Sequence, residues 1–297
     1  MPPDFQGLPT RTLENQYLRL DYLAEAGPRI VRLFVQGSEQ NLLAEAPDAK
    51  RETPYGTFYF RGGHRLWHAP EAFPRTYIPD EEGLQVEEVP GGVRLVRSES
   101  ITNIRKSVEI RLHEERPAVT LLHELQNEGL WPVTLSPWAL TQTRLGGLAI
   151  LPQQRVPADP HSLLPNRSLA LWPYGSVKDD RLILGDDYVL VRAIGRMPPC
   201  KVGYLNPHGW LAYLLDGMLF HKEFDTPQSG EQYPDLNSNV EVYCGDEFIE
   251  LETLGPLQQL EPGQSLSHWE AWSLYTGIGD IAPDIEGVRG LVDKLQL

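Results

Sequence analysis

An all-β fold, a large antiparallel β-sandwich with a short C-terminal helix, is the class this sequence predicts. Its apolar residues recur mainly with period two. Glycine and proline, 26 of each among 297 residues, interrupt the chain too often for long helices. Nowhere do strand and helix patterns alternate as a parallel α/β sheet requires.

Taken in chain order, alternation predicts strands over Tyr17–Tyr22, Arg29–Val35, Val93–Arg97, Val108–Leu112 and Val119–Leu125. Further strands are predicted over Arg181–Leu184, Tyr188–Ala193, Val240–Cys244 and Phe248–Leu254. Pro90-Gly91-Gly92, Gly185-Asp186-Asp187 and Gly245-Asp246 separate neighbouring runs with residues that tolerate turn geometry, so these runs are expected to pair as hairpins. Only the end of the chain has helical spacing: Ile285, Val288, Leu291, Val292 and Leu295 follow Asp284, a suitable N-cap. No repeat or long linker divides the chain, so one domain over 1–297 is expected. The proline-rich stretch Leu151–Pro173, with Pro152, Pro157, Pro160 and Pro165, reads as a loop over a cleft rim or as a plain connection between sheets.

Composition narrows the partners. A formal charge of −15, from 41 acidic and 26 basic residues, repels nucleic-acid phosphates and anionic membrane surfaces. Cys200 and Cys244, the two cysteines, form neither a zinc motif nor a disulfide framework. Met1–Thr10 has no basic segment leading into an apolar run, and no stretch approaches the roughly 18 apolar residues of a membrane span. A cytoplasmic protein is expected, with neither nucleic acid nor membrane as partner.

Two segments concentrate chemistry. Phe60–Glu71 places Arg61, His64, Arg65, Trp67, His68 and Glu71 around the Gly62-Gly63 pair. The glycines permit a sharp turn or a close approach to ligand, a tryptophan suits the C–H face of a sugar, and Arg and His donate to hydroxyls. The bland alternative is a structural loop with a packed tryptophan. His64 and His68 have a metal-ligand spacing for a helix, but the glycines and Pro70 oppose a helix, and no metal site is expected. In Asn239–Leu254, alternation puts Glu241 and Tyr243 on one face, and Glu250 and Glu252 likewise share a face. A solvent-facing strand would look the same. Lys201, Trp210, His221, Lys222, Tyr233 and Asp235 come from a stretch rich in aromatic and basic residues and are further cleft candidates; Lys222 is in phase with Phe220 and Phe224, so its stem could equally lie over apolar surface. His123, in phase with Leu121 and Leu125, reads as a core residue.

Ile249-Glu250-Leu251-Glu252-Thr253, followed by Leu260-Glu261-Pro262-Gly263-Gln264, resembles the closing segment of galactose mutarotases and related aldose epimerases. Val242-Tyr243-Cys244-Gly245 is similar to the preceding strand end of that family, and Gly63-His64 to the context of its first active-site histidine. Gly27-Pro28-Arg29-Ile30 with Leu33 and Asn41-Leu42-Leu43 is similar to the family's opening hairpin, and Gly62–Glu71 to a segment of uncharacterised bacterial members. The resemblance implies the galactose mutarotase-like supersandwich, with Glu252 as base. One departure stands out: Pro137–Thr143 lacks the family's second histidine and offers Gln142, which donates to oxygen but cannot transfer a proton near neutral pH.

If the chain is an epimerase, Glu252 is the expected base and His64 or His68 the acid. Arg61, Arg65, Trp67, Gln142 and Tyr243 are expected to position the ring, and no cofactor is needed. The ligand expected is a small sugar or sugar phosphate, and a homodimer is compatible with this fold. Two alternatives stay open: a non-catalytic carbohydrate-binding protein, and an isomerase or lyase of uronates, for which Arg61, Arg65, Lys201 and Lys222 would have to converge on an anion.

Overall fold

The structure is a computed structural model and describes residues 4–156 and 159–297. Pro157 of the proline-rich stretch lies outside the described residues. The chain runs through β1 (Asp4–Phe5), β2 (Leu8–Glu14), β3 (Leu18–Leu23), β4 (Arg29–Val35), β5 (Glu45–Thr53) and β6 (Gly56–Ala69). It continues through β7 (Gln85–Val89), β8 (Gly92–Glu99), β9 (Ile104–Leu112), β10 (Ala118–Asn127), β11 (Val133–Thr143) and β12 (Leu148–Pro152). After a long excursion come β13 (Ala170–Leu171), β14 (Leu182–Leu184), β15 (Tyr188–Arg192), β16 (Cys200–Tyr204), β17 (Trp210–Leu215) and β18 (Met218–Phe224). The last strands are β19 (Val240–Cys244), β20 (Ile249–Leu254), β21 (Gln258–Leu260) and β22 (Ser265–Tyr275), and the helix Ile285–Leu295 follows.

These strands make two large antiparallel sheets, as the period-two alternation predicts. One has the order β1-β2-β3-β4-β6-β11-β20-β19-β16-β13, with β5 on β6 and β21 on β11; the other has the order β14-β15-β12-β17-β18-β22-β10-β9-β8-β7. The hairpin turns fall where turn residues were read: Val89 pairs with Gly92, Leu184 with Val189, and Cys244 with Ile249.

The inward faces meet in one apolar layer that includes Leu20, Leu33, Leu66, Leu95, Leu121, Val202, Phe220, Leu251 and Trp272. Burying each such side chain contributes on the order of 1.5–3 kcal/mol. The C-terminal helix covers the outer face of the second sheet, where Val288, Leu291 and Val292 pack on Ile150, Leu190 and Leu219. The Asp284 carboxylate caps it by accepting from the Gly287 N–H at 2.9 Å. No helix among the described residues is long and apolar enough to cross a membrane.

The segment around Gly62-Gly63 differs from its expected role. It is neither a sharp turn nor a loop but the middle of β6, the longest strand among the described residues. Both glycines have positive φ (91° and 75°), and a Cβ would lie 1.9 Å from Ala44 O at Gly62 and 2.0 Å from Ile30 O at Gly63. The close approach they permit is to neighbouring backbone. Beyond them the pleat sends Arg65 and Trp67 to one face and His64, Leu66 and His68 to the other.

Candidate functional site

The outer face of the first sheet gathers the chemistry. Register pairs Arg65 with Leu140, Trp67 with Trp138, Gln142 with Glu250, Leu140 with Glu252, Glu241 with Glu252, and Lys201 with Tyr243. Since side chains of directly paired residues share a face, Arg65, Trp67, Trp138, Gln142, Lys201, Glu241, Tyr243, Glu250 and Glu252 line one surface. Trp67, Trp138, Leu140 and Leu254 pack there with Phe58 and Tyr77 into an aromatic wall.

Lys201 stands at its centre. Its Nζ lies 2.7 Å from Glu241 Oε2 and 2.9 Å from Glu252 Oε2, beneath the rings of Trp138 at 5.0 Å and Trp172 at 4.5 Å. Trp138 Nε1 donates to the same Glu252 oxygen at 2.7 Å. Burial alone would lower Lys201, but Glu241 and Glu252 hold its ammonium well above the ordinary lysine range. One cation between two carboxylates leaves the second under-compensated: burial, with Glu252 and Asp235 nearby, pushes Glu241 well above the usual carboxylate range.

A second ion pair adjoins the first. Arg65 donates to Glu250 Oε1 and to Gln142 Oε1, each at 3.0 Å, and Gln142 Nε2 donates to Glu250 Oε1 at 2.7 Å. Burial, then repulsion from Glu252, raises Glu250 to about 7 against the pull of Arg65, Lys201 and Gln142. Two carboxylates two residues apart on one strand therefore sit in different electrostatic settings. The chain after Pro152 returns over this surface: Trp172 lies against Lys201, and Tyr174 meets Tyr243 with ring centroids 6.4 Å apart. Part of the proline-rich excursion thus overhangs the site.

Glu71 is at the edge, exposed and accepting from Tyr77 Oη. Asp235 occupies a left-handed turn, with Asp235, Leu236 and Asn237 at φ 50°, 60° and 70°, and its charge acts on Glu241. The other expected residues lie elsewhere. Arg61 pairs with Glu81 at 2.5 Å and rests on Tyr59. Trp210 belongs to the second sheet, where it packs at the helix-covered face and against His221. Tyr233 donates to Glu231 at 2.8 Å. His68 is buried between the sheets, its Nε2 3.6 Å from Glu99, and burial pulls it down to about 4.

His64 and Lys222 also face inward, on the opposite side of the sheet from Glu252, so neither histidine proposed as acid shares a surface with the proposed base. They belong to a buried network with one consistent set of protons. His123 Nδ1 lies 3.0 Å from His268 O, which can only accept, so the proton is on Nδ1. His123 Nε2 then accepts from His64 Nε2 at 2.8 Å, and His64 Nδ1 accepts from Thr141 Oγ1 at 2.9 Å. Lys222 Nζ donates to Thr141 Oγ1 and Leu251 O, each at 3.1 Å, and meets Glu270 Oε1 at 2.8 Å. Thr253 and Trp272 donate to Glu270, and His268 Nε2 donates to Thr253 Oγ1. His64, His123 and Glu270 place ligand-type atoms within 4.8 Å of one another. Their lone pairs are nevertheless engaged, and the Lys222 ammonium would repel a cation, so the arrangement fits a proton-ordered network better than a metal centre. His123 is the core residue its phase predicts.

Sequence reading missed Trp138, Trp172 and Tyr174. Trp138 was within reach, being in phase with Gln142 on β11. Trp172 and Tyr174 lie beside a two-residue strand in an irregular excursion, where no periodicity marks their direction.

No family model matches the sequence, and no curated protein matches it. Solved structures do. A galactose mutarotase-like protein from Lactobacillus casei ATCC 334 superposes with a TM-score of 0.60 at 10% identity, covering 90% of this chain and 100% of its own. An Escherichia coli K12 protein assigned provisionally as an aldose 1-epimerase gives 0.56 at 13% identity, with coverage of 91% and 100%. A TPR-domain containing protein from Parabacteroides distasonis ATCC 8503 gives 0.61 at 14% identity over 91% of this chain; the chain spans 47% of that protein. At such identities the likeness speaks to architecture alone, and with the two sheets and single terminal helix described above it shows that this chain has the galactose mutarotase-like fold.

Proposed function

We propose that the outer face of the first sheet binds a sugar ring and interconverts its anomers, an aldose 1-epimerase-type reaction with Glu252 as base and Glu250 as acid. The observation that carries this reading is the pair of carboxylates on β20. Glu252 holds the Lys201 ammonium and the Trp138 N–H on one oxygen, and its other oxygen receives no hydrogen bond. Glu250, raised to about 7, carries a proton below that pH and can serve as the acid there. The aromatic wall suits the C–H face of a ring. Support also comes from the described activities of fold neighbours, one assigned provisionally as an aldose 1-epimerase and another as galactose mutarotase-like.

In the forward step Glu252 takes the proton of the anomeric hydroxyl as Glu250 protonates the ring oxygen. The bond between the anomeric carbon and ring oxygen breaks, and the anomeric C–O becomes a carbonyl. Rotation about the adjacent C–C bond presents the other carbonyl face. On reclosure the ring hydroxyl gives its proton to Glu250 as it attacks the carbonyl carbon, and Glu252 gives its proton to the carbonyl oxygen, so each carboxylate regains its starting state and the cycle consumes nothing.

A non-catalytic sugar-binding role is the second reading, favoured by one observation: among the described residues, neither His64 nor His68 reaches this face. Exchange NMR on an aldose panel separates the two. Anomer exchange accelerated by the protein and lost in both Glu252→Gln and Glu250→Gln is the result expected. Binding by tryptophan fluorescence without acceleration would leave only the binding role.

A further inference from the structure

A cavity of about 220 Å³ opens at one end of the sandwich, between the end of β6, the turn from β8 to β9 and the start of β11. Ile101, Ile104, Val133 and Leu135 give it apolar walls, and His68, Arg75 and Thr102 contribute polar groups. Its volume is below the roughly 300–1,000 Å³ of sites for drug-sized ligands, so a fitting occupant has a single ring or a short chain.

Two of these polar groups lack the partners that their burial calls for. Both ring nitrogens of His68 are buried without a hydrogen-bond partner, and Glu99 Oε2, 3.6 Å from Nε2, is too distant to accept. Arg75 is half-buried and makes no ion pair among the described residues; it donates to the Pro70 carbonyl. Burial pulls its guanidinium below the ordinary arginine range, against an opposing effect of Glu99.

That acid is already committed. Glu99 is not part of the cavity wall, and it is met by Lys106 Nζ at 2.5 Å, by Arg97 Nη1 at 3.6 Å and by the Thr102 hydroxyl at 2.9 Å. Three cations therefore share one carboxylate, and the uncompensated charge is positive and reaches the cavity wall on Arg75. A larger cavity beside the C-terminal helix offers no such group, because its Arg155 and Arg289 pair with Asp187 and Glu286.

We infer that the cavity at the β8–β9 turn binds a small monocarboxylate with an apolar body, its carboxylate held by Arg75 and its body against Ile101, Ile104, Val133 and Leu135. A guanidinium matches a carboxylate with parallel N–H donors, and a neutral imidazole adds one more. The walls favour an apolar body over a bare anion, since contact with them removes apolar surface from water. The inference does not rest on the sugar-site reading, because His68 faces away from Glu252 across the sheet.

The test is calorimetric titration of the unmodified chain with benzoate, 3-methylbutanoate, acetate and benzyl alcohol. Histidine-ring NMR follows the same titrations, with His68→Gln used to identify the His68 signal. Benzoate or 3-methylbutanoate is expected to bind one-to-one, about tenfold more tightly than acetate or benzyl alcohol, and to shift the His68 signal. In Arg75→Gln, which removes an unpaired charge and should keep the urea midpoint, the preference for carboxylate over alcohol should fall towards one. The inference is overturned if neither larger carboxylate binds, if acetate or benzyl alcohol binds as tightly, or if binding leaves the His68 signal unmoved or survives Arg75→Gln.

Discussion

His64 Nε2 and His123 Nε2 face each other at 2.8 Å across the space between the two sheets, one donating and the other accepting. The accepting His123 ring must be neutral, and His64 is neutral because its Nδ1 accepts from Thr141; burial accordingly holds both below the usual histidine range. His268, His221 and His68 are pulled down to about 3, 4 and 4 by the same cause. In the unfolded chain these groups titrate near 6.5. Below that pH the unfolded state takes up protons that the folded state refuses, so their contribution to stability is whole above about 6.5 and is lost as pH falls towards 4. Glu250 and Glu241, both raised, work in the opposite sense over their own ranges, which reduces the net slope without matching five histidines. Urea midpoints are expected to fall between pH 7.5 and pH 5; a flat profile would contradict the neutral network.

Proton supply by Glu250 has its own signature. A carboxyl raised to about 7 is charged above that pH, so kcat for anomer exchange should decline as pH rises through about 7. Glu250→Gln should remove that limb and lower kcat by roughly 10²–10⁴-fold. Stopped-flow polarimetry across pH 5–9 reads both effects. A limb that persists in the variant would assign the acid elsewhere.

Lys222 is expected to matter to stability in proportion to what it leaves behind. Lys222→Met strands Glu270 in the core, at a cost of about 3–5 kcal/mol. The double variant Lys222→Met/Glu270→Gln removes the lone charge and should recover much of that loss. Urea unfolding of the two proteins checks the order. Because Lys222 holds Thr141 and Leu251, register partners flanked by Gln142, Glu250 and Glu252, the single variant should also disturb the opposite face.

Gly63→Ala asks a backbone at φ 75° to accept a Cβ placed 2.0 Å from Ile30 O. The left-handed conformation alone costs about 1–2 kcal/mol, and the clash adds to it. A loss above about 2 kcal/mol is expected from thermal or urea unfolding, measured beside Gly91→Ala, where a hairpin glycine meets nothing within 4 Å.

Much of this was legible in the residues because a pleat has a fixed period. Alternation alone put Glu250 beside Glu252 and Tyr243 beside Glu241, and it predicted Arg29–Val35 and Val240–Cys244 with the bounds observed. It could not say that these faces join with that of Lys201, since strand order is a long-range fact. Trp210 looked like a cleft residue for the same reason: nothing local distinguishes one sheet from the other. The histidines were grouped with Arg65 and Trp67 because the paired glycines were read as a sharp turn or a close approach to ligand, around which the side chains could converge, whereas in β6 adjacent residues diverge.

The paired glycines of β6 thus act as a phase element. Gain or loss of one residue between Gly63 and Arg65, with the upstream pairing retained and the downstream register shifted by one, would exchange the two sides of the strand, bringing imidazoles to the surface and burying a guanidinium. Two chains with the same residues in this segment would therefore present different side chains on the same face. In such a sheet, the set of side chains that a strand presents to one face is an attribute of its parity as much as of its letters.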